Sequence, residues 1–145
     1  MTIRDDLIAV AHAHAAAEAV NDLDTVFATL EDDPFYELQP VGLVFRGMDA
    51  VRLYYDHFFS TFQPLVAGFA LRTESVADDG VVQEYTIWTN TGPDGAVERH
   101  EVVGILTFGT ERLSGERVYA SERLLRLMFG PVYEECTPIE VGEPG

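Results

Sequence analysis

The spacing of apolar positions predicts three helices in the first part of the chain. The first helix is predicted to begin at Thr2, a good N-cap residue. A shorter second helix follows Asn21-Asp22 and ends before Pro34. The third follows Gly47 and is strongly amphipathic, with an apolar side formed by Val51, Tyr54, Tyr55, Phe58 and Phe62.

Strand patterns predominate from Phe69 onward. Two short strands are predicted earlier, at 35–39 and 43–46, and four long strands then follow with turns at 78–80 and 93–95. A last short helix ends at Gly130-Pro131. This order predicts one α+β domain over residues 1–131, in which a curved antiparallel sheet encloses a pocket and three N-terminal helices pack on its concave side. Residues 132–145 are predicted to be a C-terminal tail.

Several of the predicted strands are apolar on both faces. In the segment YTIWTN at 85–90, Tyr85 and Ile87 point one way and Trp88 points the other. Burial of both faces implies that the outer face of the sheet is also covered. A second copy of the chain is the simplest cover, so a homodimer through this face is predicted.

Composition narrows the possible functions. The net charge is −16, with 25 acidic residues against 9 basic residues, which argues against nucleic acid or an anionic membrane as a partner. The chain has no lysine, which excludes Schiff-base chemistry and a Walker-type phosphate lysine. Cys136 is the single cysteine, so no intrachain disulfide can form, and a cytoplasmic setting is predicted. No stretch approaches the roughly 18 apolar residues of a membrane span.

Three segments resemble the nuclear transport factor 2 superfamily, also called SnoaL-like. They are NDLDTVFATLEDD at 21–33, RGMDAVRLYYDHFF at 46–59, and GERVYASERLL at 115–125 after a strand that ends in LTF. Their order and spacing carry the resemblance over the chain up to about Pro131. The superfamily includes polyketide cyclases, ketosteroid isomerases, scytalone dehydratases and limonene epoxide hydrolases. The resemblance implies a cone-shaped fold with an apolar cavity between the helices and the sheet.

Comparison with the ketosteroid isomerases implies roles for individual positions. His14 falls where those enzymes carry the tyrosine that donates to the substrate oxyanion, and Tyr55 falls on the tyrosine that partners it. Leu38 occupies the position of their catalytic base, and Gly104 that of their protonated aspartic acid. Because both carboxyl groups are missing, the comparison argues against ketosteroid isomerisation itself.

Three residues are candidate catalytic groups. His14 could donate to an oxyanion or take a proton near neutral pH, and Tyr55 would help it to polarise an oxygen. The alternative for His14 is a buried histidine that only hydrogen-bonds Tyr55. His100 could be a second acid/base group at the pocket mouth, or simply a solvated histidine at the end of a strand.

Five residues are candidate ligand contacts: Tyr36, Leu38, Trp88, Arg117 and Tyr119. Arg117 and Tyr119 match inward positions on the last long strand and would orient a substrate; a salt bridge from Arg117 to Glu84 or Glu116 is the alternative. Trp88 shares a strand face with Glu84 that is either cavity or dimer surface. No histidine–carboxylate cluster at ligand spacing stands out, and no carboxylate is placed to orient a histidine, so neither a metal nor another cofactor is predicted.

The sequence therefore predicts a SnoaL-like domain that binds an apolar small molecule in an internal cavity. The favoured chemistry is cofactor-free general acid/base catalysis by an isomerase, cyclase or dehydratase. The alternative is a non-catalytic ligand-binding or dimerisation domain, which the loss of both carboxyl groups would also explain.

Overall fold

The computed structural model describes residues 2–145, in which five helices surround one side of a sheet. α1 begins with a capping box, since Thr2 accepts from the Asp5 backbone N–H and the Asp5 side chain accepts from the Thr2 backbone N–H. α3 continues without a break into a π-helical turn at Phe58–Phe62. The helices are α1 Ile3–Ala19, α2 Leu23–Ala28, α3 Met48–His57, α4 Glu122–Phe129 and α5 Pro131–Glu135.

Seven strands form one sheet in the order β3-β4-β5-β6-β1-β2-β7. They are β1 Leu30–Gln39, β2 Leu43–Arg46, β3 Val66–Ala77, β4 Gly80–Thr89, β5 Glu98–Phe108, β6 Leu113–Tyr119 and β7 Thr137–Pro138. Neighbouring strands are antiparallel except β1 and β6, which run parallel. The predicted sheet was entirely antiparallel, so this one pair differs from the prediction. The acidic residues 31–33, predicted at the end of the second helix, also lie inside β1 instead.

The predicted α+β fold, a curved sheet with helices on its concave side, is confirmed. Aromatic side chains of α3 fill much of the space between the two layers. Tyr54 stacks on Phe129 of α4 at 4.4 Å between ring centroids, and Tyr36 of β1 stacks on Phe45 at 5.3 Å. These rings are buried and hold α3 against the sheet, which fixes the position of the neighbouring Tyr55.

The packed structure extends further towards the C-terminus than the sequence predicted. A tail was predicted from residue 132, but Val132 and Tyr133 of α5 are buried, and β7 pairs with β2. The Ile139 backbone N–H also donates to the Gly42 carbonyl oxygen at 2.9 Å. Two buried apolar side chains and strand pairing therefore extend the packed structure to Ile139. Within residues 2–145, no helix has both the length and the apolar character needed to cross a bilayer.

Candidate functional site

A cavity of about 480 Å³ lies between α1, the end of α3 and the concave face of the sheet. Its walls are mainly apolar: alanines of α1 form one side, and strand residues form the other. The apolar and aromatic lining comprises Ala15, Ala16, Ala19, Tyr54, Phe58, Val66, Phe69, Leu71, Tyr85, Ile87, Leu106, Val118 and Met128. A pocket of this size and character is typical of a small-molecule site.

The edge strand β3 supplies the most exposed part of the lining. Phe69 is 59% exposed and Leu71 is 48% exposed, although both contribute to the cavity wall. Their cross-strand partners Ile87 and Tyr85 lie deeper in the same wall. Phe69 and Leu71 therefore mark an apolar entrance between the sheet edge and α1.

One end of the cavity carries a cluster of polar side chains, which we call the polar cluster: His14, Glu18, Tyr36, Tyr55 and Glu116. His14 Nε2 lies 2.7 Å from Glu18 Oε1 and 3.9 Å from Glu116 Oε2. The Tyr55 hydroxyl lies 2.7 Å from Glu18 Oε1, 3.1 Å from His14 Nε2 and 3.3 Å from Glu116 Oε2. The Tyr36 hydroxyl extends the cluster through a 2.5 Å hydrogen bond with the Tyr55 hydroxyl.

Three structural elements bring the polar cluster together. His14 and Glu18 are four residues apart on α1, so their side chains lie on the same face of the helix. Glu116 comes from β6, where it pairs with Leu106 of β5, a residue of the cavity wall. Of the five residues, His14, Glu18 and Glu116 line the cavity directly, while the two tyrosines lie behind them.

The hydroxyl of Thr29 fixes the orientation of the His14 ring. Thr29 Oγ1 donates its single hydrogen to the Val26 carbonyl oxygen at 2.6 Å, so it accepts from His14 Nδ1 at 2.8 Å. Nδ1 therefore carries a hydrogen, and Nε2 is the nitrogen that faces Glu18 and the cavity. This arrangement leaves Nε2 as the ring atom available for exchange of a proton.

The carboxylates hold His14 in its protonated form. Burial opposes a charge on the ring, but attraction to Glu18, the hydrogen bond to Glu18 and the nearby Glu116 carboxylate outweigh it and raise the pKa of His14 from 6.5 to about 10. His14 is therefore a cation at neutral pH. The sequence suggested an ordinary histidine that exchanges a proton near neutral pH, and the two carboxylates change that expectation.

The same crowding affects the acidic members of the polar cluster. Burial and repulsion from Glu18 raise the pKa of Glu116, although its contacts with His14 act in the opposite direction. Burial first, and then the nearby carboxylates, raise the pKa of Tyr36 and Tyr55 well above that of free tyrosine. Both tyrosines therefore stay neutral and act as hydrogen-bond donors, while Glu116 takes up a proton more readily than a free glutamate does.

The structure brings three of the eight predicted site residues together. His14, Tyr55 and Tyr36 are joined by hydrogen bonds, as the resemblance suggested for the first two. Glu18 and Glu116 were missed, and the statement that no carboxylate is placed to orient a histidine was wrong. The His14–Glu18 spacing of four residues on a predicted helix was the available signal, since it places both side chains on one face.

Three other predicted residues lie outside the cavity lining. Leu38 is fully buried in the core behind the wall. His100 bonds Thr89 Oγ1 at 2.9 Å near the end of β5, where partial burial lowers the pKa of its ring. Trp88 lies on the outer face of β4, because Gln83, Tyr85 and Ile87 supply the inner face of that strand.

The expectation that Arg117 and Tyr119 face the cavity was wrong. Glu116 and Val118 of β6 point inward, so their neighbours along the strand point outward. Tyr119 is 41% exposed, and Arg117 lies 3.7 Å from Asp79. Arg117 therefore pairs with a carboxylate on the outer side of the sheet, though with neither of the two predicted from the sequence.

Three members of the polar cluster also have the chemistry of metal ligands. His14, Glu18 and Glu116 each offer one ligand atom, and these atoms lie within 4.8 Å of one another. An imidazole nitrogen with two carboxylates suits a divalent metal ion, and the Thr29 hydroxyl would orient the histidine as a metal site requires. The sequence did not predict this cluster, because Glu116 is distant from the other two along the chain. In the arrangement described above, His14 Nε2 is instead occupied by its hydrogen bond to Glu18.

Solved structures similar to this one identify the fold. A Burkholderia xenovorans NTF2-like protein of unknown function superimposes with a TM-score of 0.62 at 21% identity, over 81% of this chain and 84% of that chain. Bal32a, from a soil-derived mobile gene cassette, gives a TM-score of 0.68 at 11% identity, over 88% and 98%. This chain has the NTF2-like fold. The Bacillus subtilis "Putative Isomerase" is also similar, with a TM-score of 0.61 at 17% identity over 90% and 96%. No protein-family model and no curated protein match the sequence.

Proposed function

We propose that this NTF2-like protein binds a mostly apolar small molecule in its cavity and moves a proton on it. The reaction class is that of a cofactor-free isomerase, cyclase or dehydratase. One observation carries the proposal: a mainly apolar cavity of about 480 Å³ has a buried histidine and two carboxylates at one end. Titratable groups whose pKa values are shifted by their surroundings, placed in a pocket, are what general acid/base catalysis requires.

The two carboxylates take the roles of proton acceptor and proton donor. The protonated His14 donates to Glu18 Oε1 at 2.7 Å and orients that carboxylate at the cavity wall, where it can accept a proton. Glu116 is buried, and its raised pKa brings its protonated form, which can donate, closer to neutral pH than in a free glutamate. Two carboxyl groups in different surroundings are thus poised for opposite steps, while Tyr55 bridges them through its hydroxyl. The "Putative Isomerase" of the same fold is compatible with this reaction class.

A cavity-filling variant tests the proposal. Gly104 lines the cavity, and a Cβ there would make only ordinary contact with Tyr85 at 3.5 Å, so Gly104→Leu should fill the cavity while the chain still folds. We expect cyclic ketones, terpenoid epoxides or polyketide-like aromatics to bind the folded wild type and raise its melting temperature. At a ligand concentration a hundredfold above Kd, binding stabilises the folded state by about 2.7 kcal/mol. The leucine variant should lose this stabilisation, measured by a thermal-shift assay.

Gly142→Leu is the matched control, because a Cβ at Gly142 meets nothing within 4 Å. It should retain the wild-type response. Equal ligand stabilisation in Gly104→Leu and the wild type would show that the ligand binds elsewhere. A wild type that responds to none of these compounds would favour the alternative, a non-catalytic interaction domain.

A homodimer through the outer face of the sheet is also part of the proposal. Tyr119 is 41% exposed on that face, and the half-buried Val103 and Trp88 lie on the same side. Apolar side chains there would gain from burial against a second copy. Native mass spectrometry should give the mass of a dimer for the wild type and a larger monomer fraction for Tyr119→Arg. A monomeric wild type would contradict this part of the proposal.

A further inference from the structure

The polar end of the cavity is deficient in positive charge. Among residues 2–145, none of the nine arginines lines the cavity. Six of them pair with a carboxylate elsewhere: Arg117, for example, pairs with Asp79 on the outer side of the sheet, and Arg123 pairs with Glu98. His14 is therefore the single cationic group among the lining residues, set against Glu18 and Glu116. When both carboxylates are ionised, one negative charge has no protein counterpart.

The polar end also has more hydrogen-bond acceptors than donors. The donors that reach the two carboxylates are His14 Nε2, which contacts Glu18 Oε1, and the single hydrogen of the Tyr55 hydroxyl, for which Glu18 Oε1 at 2.7 Å and Glu116 Oε2 at 3.3 Å compete. The other oxygens, Glu18 Oε2 and Glu116 Oε1, form no hydrogen bond with any side chain or backbone group of residues 2–145. Both residues line the cavity, and no fully buried side-chain oxygen or nitrogen of the described residues lacks a partner, so these oxygens are accessible from the cavity. Their unused acceptor positions can therefore accept hydrogen bonds from a ligand bound there.

We infer that the ligand of this cavity is an amphiphilic amine, with an apolar body along the alanine and strand walls and a protonated amino group between Glu18 and Glu116. This inference rests on the proposed small-molecule function of the same cavity. A primary ammonium offers three N–H donors and the missing positive charge in one group. Tyr85, which also lines the cavity and lies close enough to Glu116 for the carboxylate to act on its pKa, adds an aromatic ring beside the ammonium.

The cost of burying charge favours this ligand over a neutral one. Removing a carboxylate from water is expensive, but folding has already placed Glu116 in the protein interior. The incoming ammonium therefore has to lose only its own hydration, and it meets two carboxylates that are already oriented by His14 and Tyr55. A carboxylic acid of the same shape would meet two like charges without an arginine to compensate. The ligand order should be amine, then alcohol, then carboxylate.

The inference is tested with three compounds that share one apolar body: 4-phenylbutylamine, 4-phenylbutanol and 4-phenylbutanoate. Kd is measured by isothermal titration calorimetry, with a chelator present so that no metal ion competes for the polar cluster. We expect the amine to bind about tenfold more tightly than the alcohol, a difference of about 1.4 kcal/mol, and the carboxylate to bind most weakly. Glu116→Gln should bring the amine to within about twofold of the alcohol without weakening the alcohol.

Glu140→Gln is the matched control, since it removes the same charge from an exposed position near the C-terminus. It should leave the amine preference intact; an equal loss in both variants would show that the net charge of −16 attracts amines non-specifically, and would overturn the inference. Should Glu116→Gln fail to fold, Glu18→Gln takes its place with the same expectation. Alcohol binding without an amine preference would overturn the inference and leave the proposed function standing, whereas no binding by any of the three would overturn both.

Discussion

The free energy of unfolding should fall as the pH rises from 6.5 towards 10, and His14→Gln should remove most of this dependence. The folded-state pKa of His14, about 10, lies above the value of 6.5 expected when the chain is unfolded. The folded protein therefore holds one more proton than the unfolded chain in this window. Its stabilising effect is complete below pH 6.5 and is lost as the pH rises through about 10, at a slope of up to about 1.4 kcal/mol per pH unit.

Urea denaturation at several pH values in this window measures the slope. Glutamine can retain hydrogen bonds to Glu18 and Thr29 but cannot carry the charge, so the variant should have a flatter profile and lower stability at neutral pH. His12→Gln is the control, because His12 lies on the same helix with its side chain 53% exposed and pairs with Glu74 at the surface. Exposed pairs of this kind contribute little to stability. Parallel profiles for the wild type and His14→Gln would contradict the charge state assigned to His14.

This charge state also changes how His14 can take part in chemistry. As a cation at neutral pH, His14 can donate a hydrogen bond or a proton. It cannot accept a proton until it has lost its own, which becomes easier once a neighbouring carboxylate is neutralised. In the proposed reaction, the proton acceptor near neutral pH is therefore a carboxylate, and Glu18 is the one that His14 contacts directly. The catalytic roles assigned from the sequence to His14 and Tyr55 stay proposals, and Glu18 and Glu116 join them.

The fold could be predicted because its signals are local or periodic. The apolar stripe of α3, the turns between the long strands and the Ser121 cap of α4 each depend on residues close in sequence. The parallel pairing of β1 with β6 has no such signal, since it brings together segments about 80 residues apart along the chain. The packing of Val132 and Tyr133 also depends on contacts with distant residues, and so the tail was predicted to begin too early.

The polar cluster was only half predictable for the same reason. His14 and Glu18 share a helix face, a relation that the four-residue spacing encodes. Glu116 could be assigned to the cavity only if the register of β6 were known. Strict alternation from the buried Leu113 would place Arg117, not Glu116, on the inner face. The structure has a register shift between the Thr107–Gly115 and Phe108–Leu113 pairs, so that Ser114 is an additional residue in β6. One such residue exchanges the faces of every side chain after it.

Gly115→Ala should reduce the free energy of unfolding by about 4 kcal/mol or more, which is among the largest effects of a single substitution. Gly115 has a φ of +152° at this register shift, and a Cβ there would collide with the Phe35 carbonyl oxygen on the neighbouring strand β1. The obstacle is backbone, which cannot move aside without breaking the pairing of β1 with β6. Gly104→Ala is the matched control in the same sheet, since its Cβ makes only ordinary contact with Tyr85 at 3.5 Å, and it should cost less than about 1 kcal/mol.

The same substitution tests how the polar cluster is held. If Gly115 allows the irregular register of β6, any Gly115→Ala protein that still folds should have displaced Glu116 from His14, and the pKa of His14, followed by NMR, should fall towards 6.5. Gly104→Ala should leave that pKa close to the wild-type value. Similar stability and His14 titration in the two variants would mean that β6 keeps its register without the glycine, held by the pairing of Gly104 with Val118 and of Leu106 with Glu116. We expect Gly115→Ala to displace Glu116 and lower the pKa of His14, because β1 approaches Gly115 closely. A side chain at that position would have to displace the strand that carries Tyr36.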